Sequence, residues 1–481
     1  MNTMRSPLFA LTLVMAGPVL GQGDPATVAR IIEEGRDRSQ AMSTLVEMTE
    51  GIGPRATGTP QLRRAEDWAV TKFESWGLES VHLEKWGETP MGFDRGPRQS
   101  ARMIAPFERE FVFTTNCWTV GTDRPVRGRA VPMPRSFDEF RALRGRLNGA
   151  WVLMPDEVRM GGARLTDPTD LDRAMDAAGI AGRVYTTGQD LVWTHGRWTQ
   201  YTDATRPKKP LITIRGEDFN TVTRALEGTS NVVLEFDIEN IFLPGPMPLH
   251  NVIAEIRGTE KPDEVVIISG HFDSWNGPGS QGASDNGTGS TVTMEAARIL
   301  AAVGARPKRT IRFILWTGEE QGLLGSAAYV EAHKAELYKI SCVLNEDSGP
   351  NYHASISGTP DMMQILTEAV KPMADAFPGK PVVAKERERL GGGGSDHASF
   401  LKMGVPGFTF GKAGGFNYRR VWHTQYDRHT EVPEGHLAQM ATNMAVVAFN
   451  IACADELLPR VPVRNGPSAG VESGSAARSN R

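Results

Sequence analysis

From Asn251 to about Leu457 the chain repeats one unit, a short apolar run followed by a stretch with helical periodicity. That alternation constrains the fold more than any other feature, because parallel strands can be joined only by a crossover, usually a helix. Strands are expected at Val265 to Ser269, Arg309 to Trp316, Ser341 to Asn345 and Phe408 to Phe410. Helices are expected at Thr288 to Val303, Ser326 to Glu336, Met362 to Ala374 and Leu437 to Cys453. The predicted class is α/β, with a mixed, mostly parallel sheet covered by helices on both faces.

The rest of the chain leaves room for more, since 481 residues with 40% apolar and 23% charged content suit two or three domains. Pro125 to Asn240 carries a self-contained pattern of strands at Gly149 to Met154, Gly182 to Thr186, Leu211 to Ile214 and Val232 to Phe236. Helices at Leu171 to Ala178 and Glu217 to Leu226 complete what reads as a small α/β insert at 125–244, splitting a catalytic unit into 22–124 and 245–460. Ala41 to Trp76 reads as two helices around a polar break at Gly51 to Pro60. The stretch 461–481, rich in Ser, Gly, Ala and Arg, is expected to be disordered. No repeat suggests a solenoid.

The first residues combine Arg5 with an apolar run from Leu8 to Leu20, the grammar of a signal peptide cleaved after Gly21, and hence of a secreted or periplasmic protein. The run falls short of the ~20 apolar residues of a membrane span; an uncleaved anchor is the alternative, and no later segment is long and apolar enough to cross a bilayer. Three cysteines, Cys117, Cys342 and Cys453, permit at most one bridge, and Cys342 and Cys453 sit in apolar runs as buried thiols. A net charge of -4 lacks the basic excess that a phosphate backbone demands, so nucleic acid is excluded as a partner.

Open α/β sheets place their sites beyond the carboxyl ends of strands, and three predicted strands end in strong ligand types. Val265 to Ser269 runs into Gly270-His271-Phe272-Asp273, Arg309 to Trp316 into Thr317-Gly318-Glu319-Glu320, and Ser341 to Asn345 into Glu346-Asp347-Ser348-Gly349. The turn Ala283 to Gly289 can aim Asp285 across the same edge, and Trp422 to Asp427 adds His423. Each feature alone is commonplace, for an Asp-Asn-Gly turn is usually just a turn. Together His271, Asp285, Glu320, Asp347 and His423 form the mixed nitrogen and oxygen set that suits zinc, and a shared carboxylate can hold two ions ~3.5 to 4 Å apart. Adjacent loop residues diverge, so Glu320 can ligate while Glu319 faces water as general base. Asp273, two residues from His271, is ~7 Å along an extended chain and is better suited to fixing the His271 tautomer than to ligating.

As an ordered set these motifs resemble the di-zinc exopeptidases, a group that includes bacterial leucine aminopeptidases, plasma glutamate carboxypeptidase, glutamate carboxypeptidase II and the glutaminyl cyclases. The resemblance covers roughly 40–125 and 245–455, implies the zinc-exopeptidase, phosphorylase/hydrolase-like fold, and makes the insert similar to a protease-associated domain. It implies that Asp285 bridges, with His271 and Asp347 on one ion, Glu320 and His423 on the other, and Glu319 as base. Other divalent metals can substitute for zinc in such a set.

Gly394-Ser395-Asp396-His397-Ala398-Ser399-Phe400 matches a substrate-side loop of that family. Ser395, Asp396 and His397 are contiguous and therefore not a nucleophile triad; they contact substrate, or Ser395 or Asp396 caps a helix. Some relatives carry an oxyanion-stabilising tyrosine just before this loop, where Gly391 to Gly394 stand here, leaving the second ion or His397 as the donor. Lys385 to Arg389 is a solvated loop or a contact for a substrate carboxylate.

The expected activity is hydrolysis of terminal bonds in peptides or dipeptides, as an aminopeptidase or dipeptidase, with a homodimer compatible. The alternatives are a glutaminyl cyclase-like acyltransferase, a receptor-like binding protein on the same fold, and a deacetylase or amidase acting on small amides. Retention of all five candidate ligands speaks against the binding protein.

Overall fold

The computed structural model describes residues 23–157, 169–200 and 206–463. The expected leader at 1–21, and the expected tail beyond Val463, lie outside the described residues.

Strands Gly407–Phe408, Ile340–Asn345, Lys261–His271 and Arg309–Trp316 lie side by side and parallel. Val233–Ile256 runs antiparallel beside Arg309–Trp316 and gives the sheet its mixed character. The three central strands are buried over Val265 to His271, over Arg309 to Trp316 apart from Arg312, and over all of Ile340–Asn345, as strands covered on both faces must be. Helices Thr288–Ala302 and His436–Cys453 lie across one face with Pro25–Asp37, sharing a core in which Ile268, Phe313, Leu300, Val447 and Phe449 are buried. The other face is closed by Trp316, Tyr329 and Phe400. The α/β, mostly parallel architecture read from the sequence is the one present.

Val233–Ile256 is far longer than the expected strand at Val232 to Phe236. It pairs with Glu79–Ala105 in an antiparallel ribbon interrupted by five register shifts. At one end the ribbon belongs to the sheet just described; at the other it pairs with Val126–Pro132 and continues into the parallel strands Trp151–Glu157, Gly182–Thr186 and Leu211–Ile214, with Phe113–Thr115 antiparallel at the far edge. A separate core, including Trp151, Val184, Ile212 and Phe236, packs beneath this second sheet.

Three expectations differ in detail. Met362 to Ala374 is helical as Met363–Val370 and then tightens to a 3₁₀ turn at Lys371–Met373, because Pro372 has no N–H to continue the ladder. Ser326 to Glu336 is α-helical as Leu324–Ala332, with a 3₁₀ segment at Lys334–Lys339. Phe408 to Phe410 is divided: Gly407–Phe408 belongs to the large sheet, while Phe410–Ala413 pairs with Tyr352–Gly358 in a small sheet completed by Val383–Glu386. All three cysteines are buried and free.

Candidate metal centre

The register of the central strands sets Trp316 opposite His271 and Asn345 opposite Ser269, so the three chains leave the sheet at nearly one level. His271 closes its own strand, Glu319 and Glu320 follow the second, and Asp347 follows the third. The Asp285 turn, Ala283–Gly287, precedes the buried helix Thr288–Ala302. That helix starts so close to the third loop that a Cβ at Gly289 would lie 2.2 Å from the carbonyl oxygen of Glu346. Only glycine fits there.

The five expected ligands converge. His271 Nε2 lies 3.3 Å from Asp285 Oδ1 and 3.3 Å from Asp347 Oδ1. His423 Nε2 lies 3.0 Å from Asp285 Oδ2 and 3.1 Å from Glu320 Oε2. Asp285 thus presents one oxygen to each imidazole, and His271, Asp285 and Asp347, like Asp285, Glu320 and His423, offer ligand atoms within 4.8 Å of one another. Glu320 Oε1 is buried and makes no hydrogen bond, and Asp285 Oδ2 has only the His423 imidazole beside it. Unsatisfied carboxylate oxygens in a dry site are costly, and a cation relieves them.

The electrostatics agree with a site built for cations. Burial pushes the Glu320 carboxyl up to about 7, helped by the charge on Asp285. Burial, with the charges of Asp347, Glu320 and Asp396, also holds Glu319 well above the usual carboxylate range. Burial alone would lower His423, yet Glu320 and Asp285 raise it to about 10. Asp347 and Glu319 likewise raise His271 against its burial. Protons on these groups occupy the place that metal charge would take. Two imidazoles with three carboxylates match the ligand preference of zinc.

Asp273 does not sit where its sequence position suggests. His271 Nδ1 donates to the main-chain oxygen of Asp273 at 2.9 Å, while the Asp273 carboxylate is 3.7 Å away. The backbone therefore sets the tautomer, leaving the Nε2 lone pair for a ligand. The carboxylate accepts instead from the Thr57 hydroxyl at 2.6 Å and the Glu319 N–H at 3.3 Å. Glu319 Oε2 lies 4.0 Å from His271 Nε2 and is in neither ligand group.

Ser395 accepts from Asn345 Nδ2 at 2.8 Å, and Asp396 precedes helix His397–Lys402 without a side-chain cap, so neither residue caps that helix. Both carboxylate oxygens of Asp396 are buried without a hydrogen bond; burial, with the charges of Asp273 and Asp347, pushes that carboxyl up to about 7. Burial lowers His397 to about 4, so its imidazole is neutral, and Nδ1 has no partner. Lys385 to Arg389 is exposed throughout, as a solvated segment is.

Sequence reasoning assigned no role to the groups beneath the site, although Glu346 and Asp427 stand within its motifs. Arg55, 0% exposed, donates to the carbonyl oxygens of Gly53, Phe272, Gln281 and Gly282 and so ties the His271 loop to the Asp285 turn. Asp427 accepts from the N–H groups of Ser284 at 2.5 Å and Asp285 at 3.3 Å. Glu346 is held by His353 and Lys412, each at 2.6 Å, and its carbonyl accepts from Asn286. The ring of Tyr418 packs over Gly349. A conspicuous arginine in the polar break at Gly51 to Pro60 was the available signal.

Residues 251–448 match the model of peptidase family M28. Carboxypeptidase Q of Mus musculus is 28% identical over 431 residues, covering 89% of this chain and 88% of that protein. A peptidase M28 precursor from Shewanella amazonensis shares the fold with a TM-score of 0.65 at 24% identity, covering 91% of this chain and 98% of that one. A zinc aminopeptidase from Bacillus subtilis does so with a TM-score of 0.55 at 20% identity, covering 85% and 93%.

Proposed function

Because this chain belongs to the zinc exopeptidases of peptidase family M28, we propose that it removes terminal residues from peptides or dipeptides using two zinc ions. The observation that carries the two-ion reading is Asp285, whose two carboxylate oxygens face separate imidazole groups. One ion is assigned to His271, Asp285 and Asp347, the other to Asp285, Glu320 and His423. Zinc bound there supplies Lewis acidity, which polarises a carbonyl and brings water toward a pKa of ~7.

The protein's own part is positioning and proton transfer. Glu319 stands beside both groups without joining either, so its carboxylate takes the proton of the attacking water and returns it to the leaving amine. Asp273 holds the Glu319 main chain for that role. A free α-ammonium would satisfy the buried, unpaired carboxylate of Asp396, which supports recognition of an amino terminus or a dipeptide. Ser395 belongs to the same loop, and the neutral imidazole of His397 is assigned as an oxyanion donor. In this reading 125–244 is a protease-associated module inserted between the two parts of the catalytic unit, 22–124 and 245–460. The leader at 1–21 sends the chain out of the cytoplasm. Among the described residues no helix is long and apolar enough to cross a membrane.

The test is mass spectrometry of a defined peptide mixture incubated with the purified protein and zinc, with and without a chelator. Single residues lost from amino termini, only without chelator, are expected. Loss from carboxyl termini alone would reassign the end recognised, and cyclised or intact peptides under both conditions would overturn the proposal.

A further inference from the structure

His423 is one of four non-glycine described residues with a positive φ, at 57°. This left-handed conformation is unfavourable for a side chain of its size unless the surroundings hold it. Its own loop contributes the turn bond from the Thr424 N–H to the Val421 carbonyl at 2.9 Å and the stacked ring of Trp422; the rest of what holds it comes from the second sheet. The segment Asp190 to Gly196, which follows strand Gly182–Thr186, runs along the His423 loop as a strap. The Thr194 N–H donates to the His423 carbonyl at 2.8 Å, and Trp193 forms an antiparallel bridge with Thr424. The buried side chain of Gln425 accepts from the Val192 N–H at 3.0 Å through Oε1 and donates to the Asp190 carbonyl at 3.1 Å through Nε2.

The strap reaches the other ligand loop as well. Gln321, the residue after Glu320, donates through Nε2 to the Gly196 carbonyl at 3.3 Å. The strap itself is fixed from behind, by the Cys117 N–H on the His195 carbonyl at 2.8 Å and by the Thr114 and Thr194 hydroxyls at 2.8 Å.

The two halves of the centre are therefore built differently. His271 and Asp347 sit at the ends of central strands, and no hydrogen bond among the described residues joins the strap to either. The strap touches the loop after His271 in two places, by stacking His195 on Trp275 with ring centroids 5.9 Å apart and by packing Thr194 so closely on Gly277 that a Cβ there would lie 1.6 Å from the Thr194 hydroxyl. Both contacts lie beyond Asp273, whose carbonyl accepts from His271. Glu320 and His423, by contrast, both lie on loops hydrogen-bonded to the strap.

We infer that the Asp190 to Gly196 strap of the inserted module is a working part of the Glu320 and His423 ion site, with Gln425 as its positioning residue. The inference rests on the two-ion reading. It gives the module a task of its own: the ion at the seam depends on how the module sits, whereas the ion at the strand ends does not.

Zinc uptake by the full-length, metal-free protein, followed calorimetrically, tests this. The wild type should bind two ions, and His423→Ala identifies the step that belongs to the seam. Gln425→Ala should weaken that step by about 10- to 100-fold, as loss of a ligand's supporting contact does, and change the other by less than about threefold. Gln321→Ala, on the opposite loop, should act in the same direction and carries the test if Gln425→Ala does not fold. Two steps that stay put, or that shift together, in the folded variants overturn the inference alone. A wild type that binds a single zinc overturns the two-ion reading and the inference with it.

Discussion

The main-chain N–H of Glu319 lies 3.3 Å from the Asp273 carboxylate, so the residue two places beyond His271 anchors the loop that carries Glu319 and Glu320. The second oxygen of that carboxylate is taken by Thr57 at 2.6 Å. One buried acid thus couples the first two strand ends, and the roles of its neighbours can be separated by substitution.

Glu319→Gln keeps the shape of the side chain and removes the carboxylate proposed as the base. We expect kcat to fall ~10²- to 10⁴-fold, with zinc content by mass spectrometry unchanged because Glu319 is in neither ligand group. Activity within about threefold of wild type, under ~1 kcal/mol of barrier, would remove Glu319 from that role.

Asp273→Asn should reduce kcat by ~10- to 100-fold while leaving zinc affinity nearly intact. The His271 tautomer is set by the main-chain oxygen of residue 273, which the substitution preserves. A large loss of affinity in a calorimetric titration would mean that the carboxylate, not the backbone, governs His271.

Arg55→Met strips the donors from the carbonyls of Gly53, Phe272, Gln281 and Gly282. Each buried acceptor left without a partner costs about 1 to 3 kcal/mol, so unfolding free energy should drop by at least ~3 kcal/mol in urea titrations. Arg55→Lys should recover part of that. An unchanged midpoint would show that water replaces the guanidinium without loss.

Zinc affinity should rise with pH. In the metal-free site His423 is raised to about 10, His271 lies well above its usual range and Glu320 is near 7. These groups hold protons at neutral pH that a cation must displace, so lowering the pH strengthens the competitor. Calorimetry in buffers of differing ionisation enthalpy at pH 7 should register release of about two protons on full loading. Uptake of protons, or none exchanged, would contradict the assigned ligands.

The central strands were legible because buried parallel strands are rich in apolar runs, and Val265 to Ile268 and Phe313 to Trp316 stand out as such. The site was legible for a related reason: carboxylates and imidazoles directly after buried strands serve neither core packing nor solvation, which leaves chemistry as their use. The ribbon Glu79–Ala105 was not legible, since its pattern of exposed and half-buried positions breaks at each register shift and leaves no clean alternation. Arg55 was hidden because its partners are mainly main-chain carbonyls more than two hundred residues away, and a carbonyl has no identity in a sequence.

By itself the sequence determined the alternation of strand and helix and which side chains follow each strand, because hydrophobic periodicity and residue chemistry are local properties. Tertiary structure decided that Asp285 stands between two imidazoles, that Asp273 holds His271 through its main-chain oxygen and Glu319 through its carboxylate, and that the Asp190 to Gly196 segment supports His423. Those outcomes depend on register, loop closure and hydrogen bonds between distant main-chain groups, which exist only once the chain has folded.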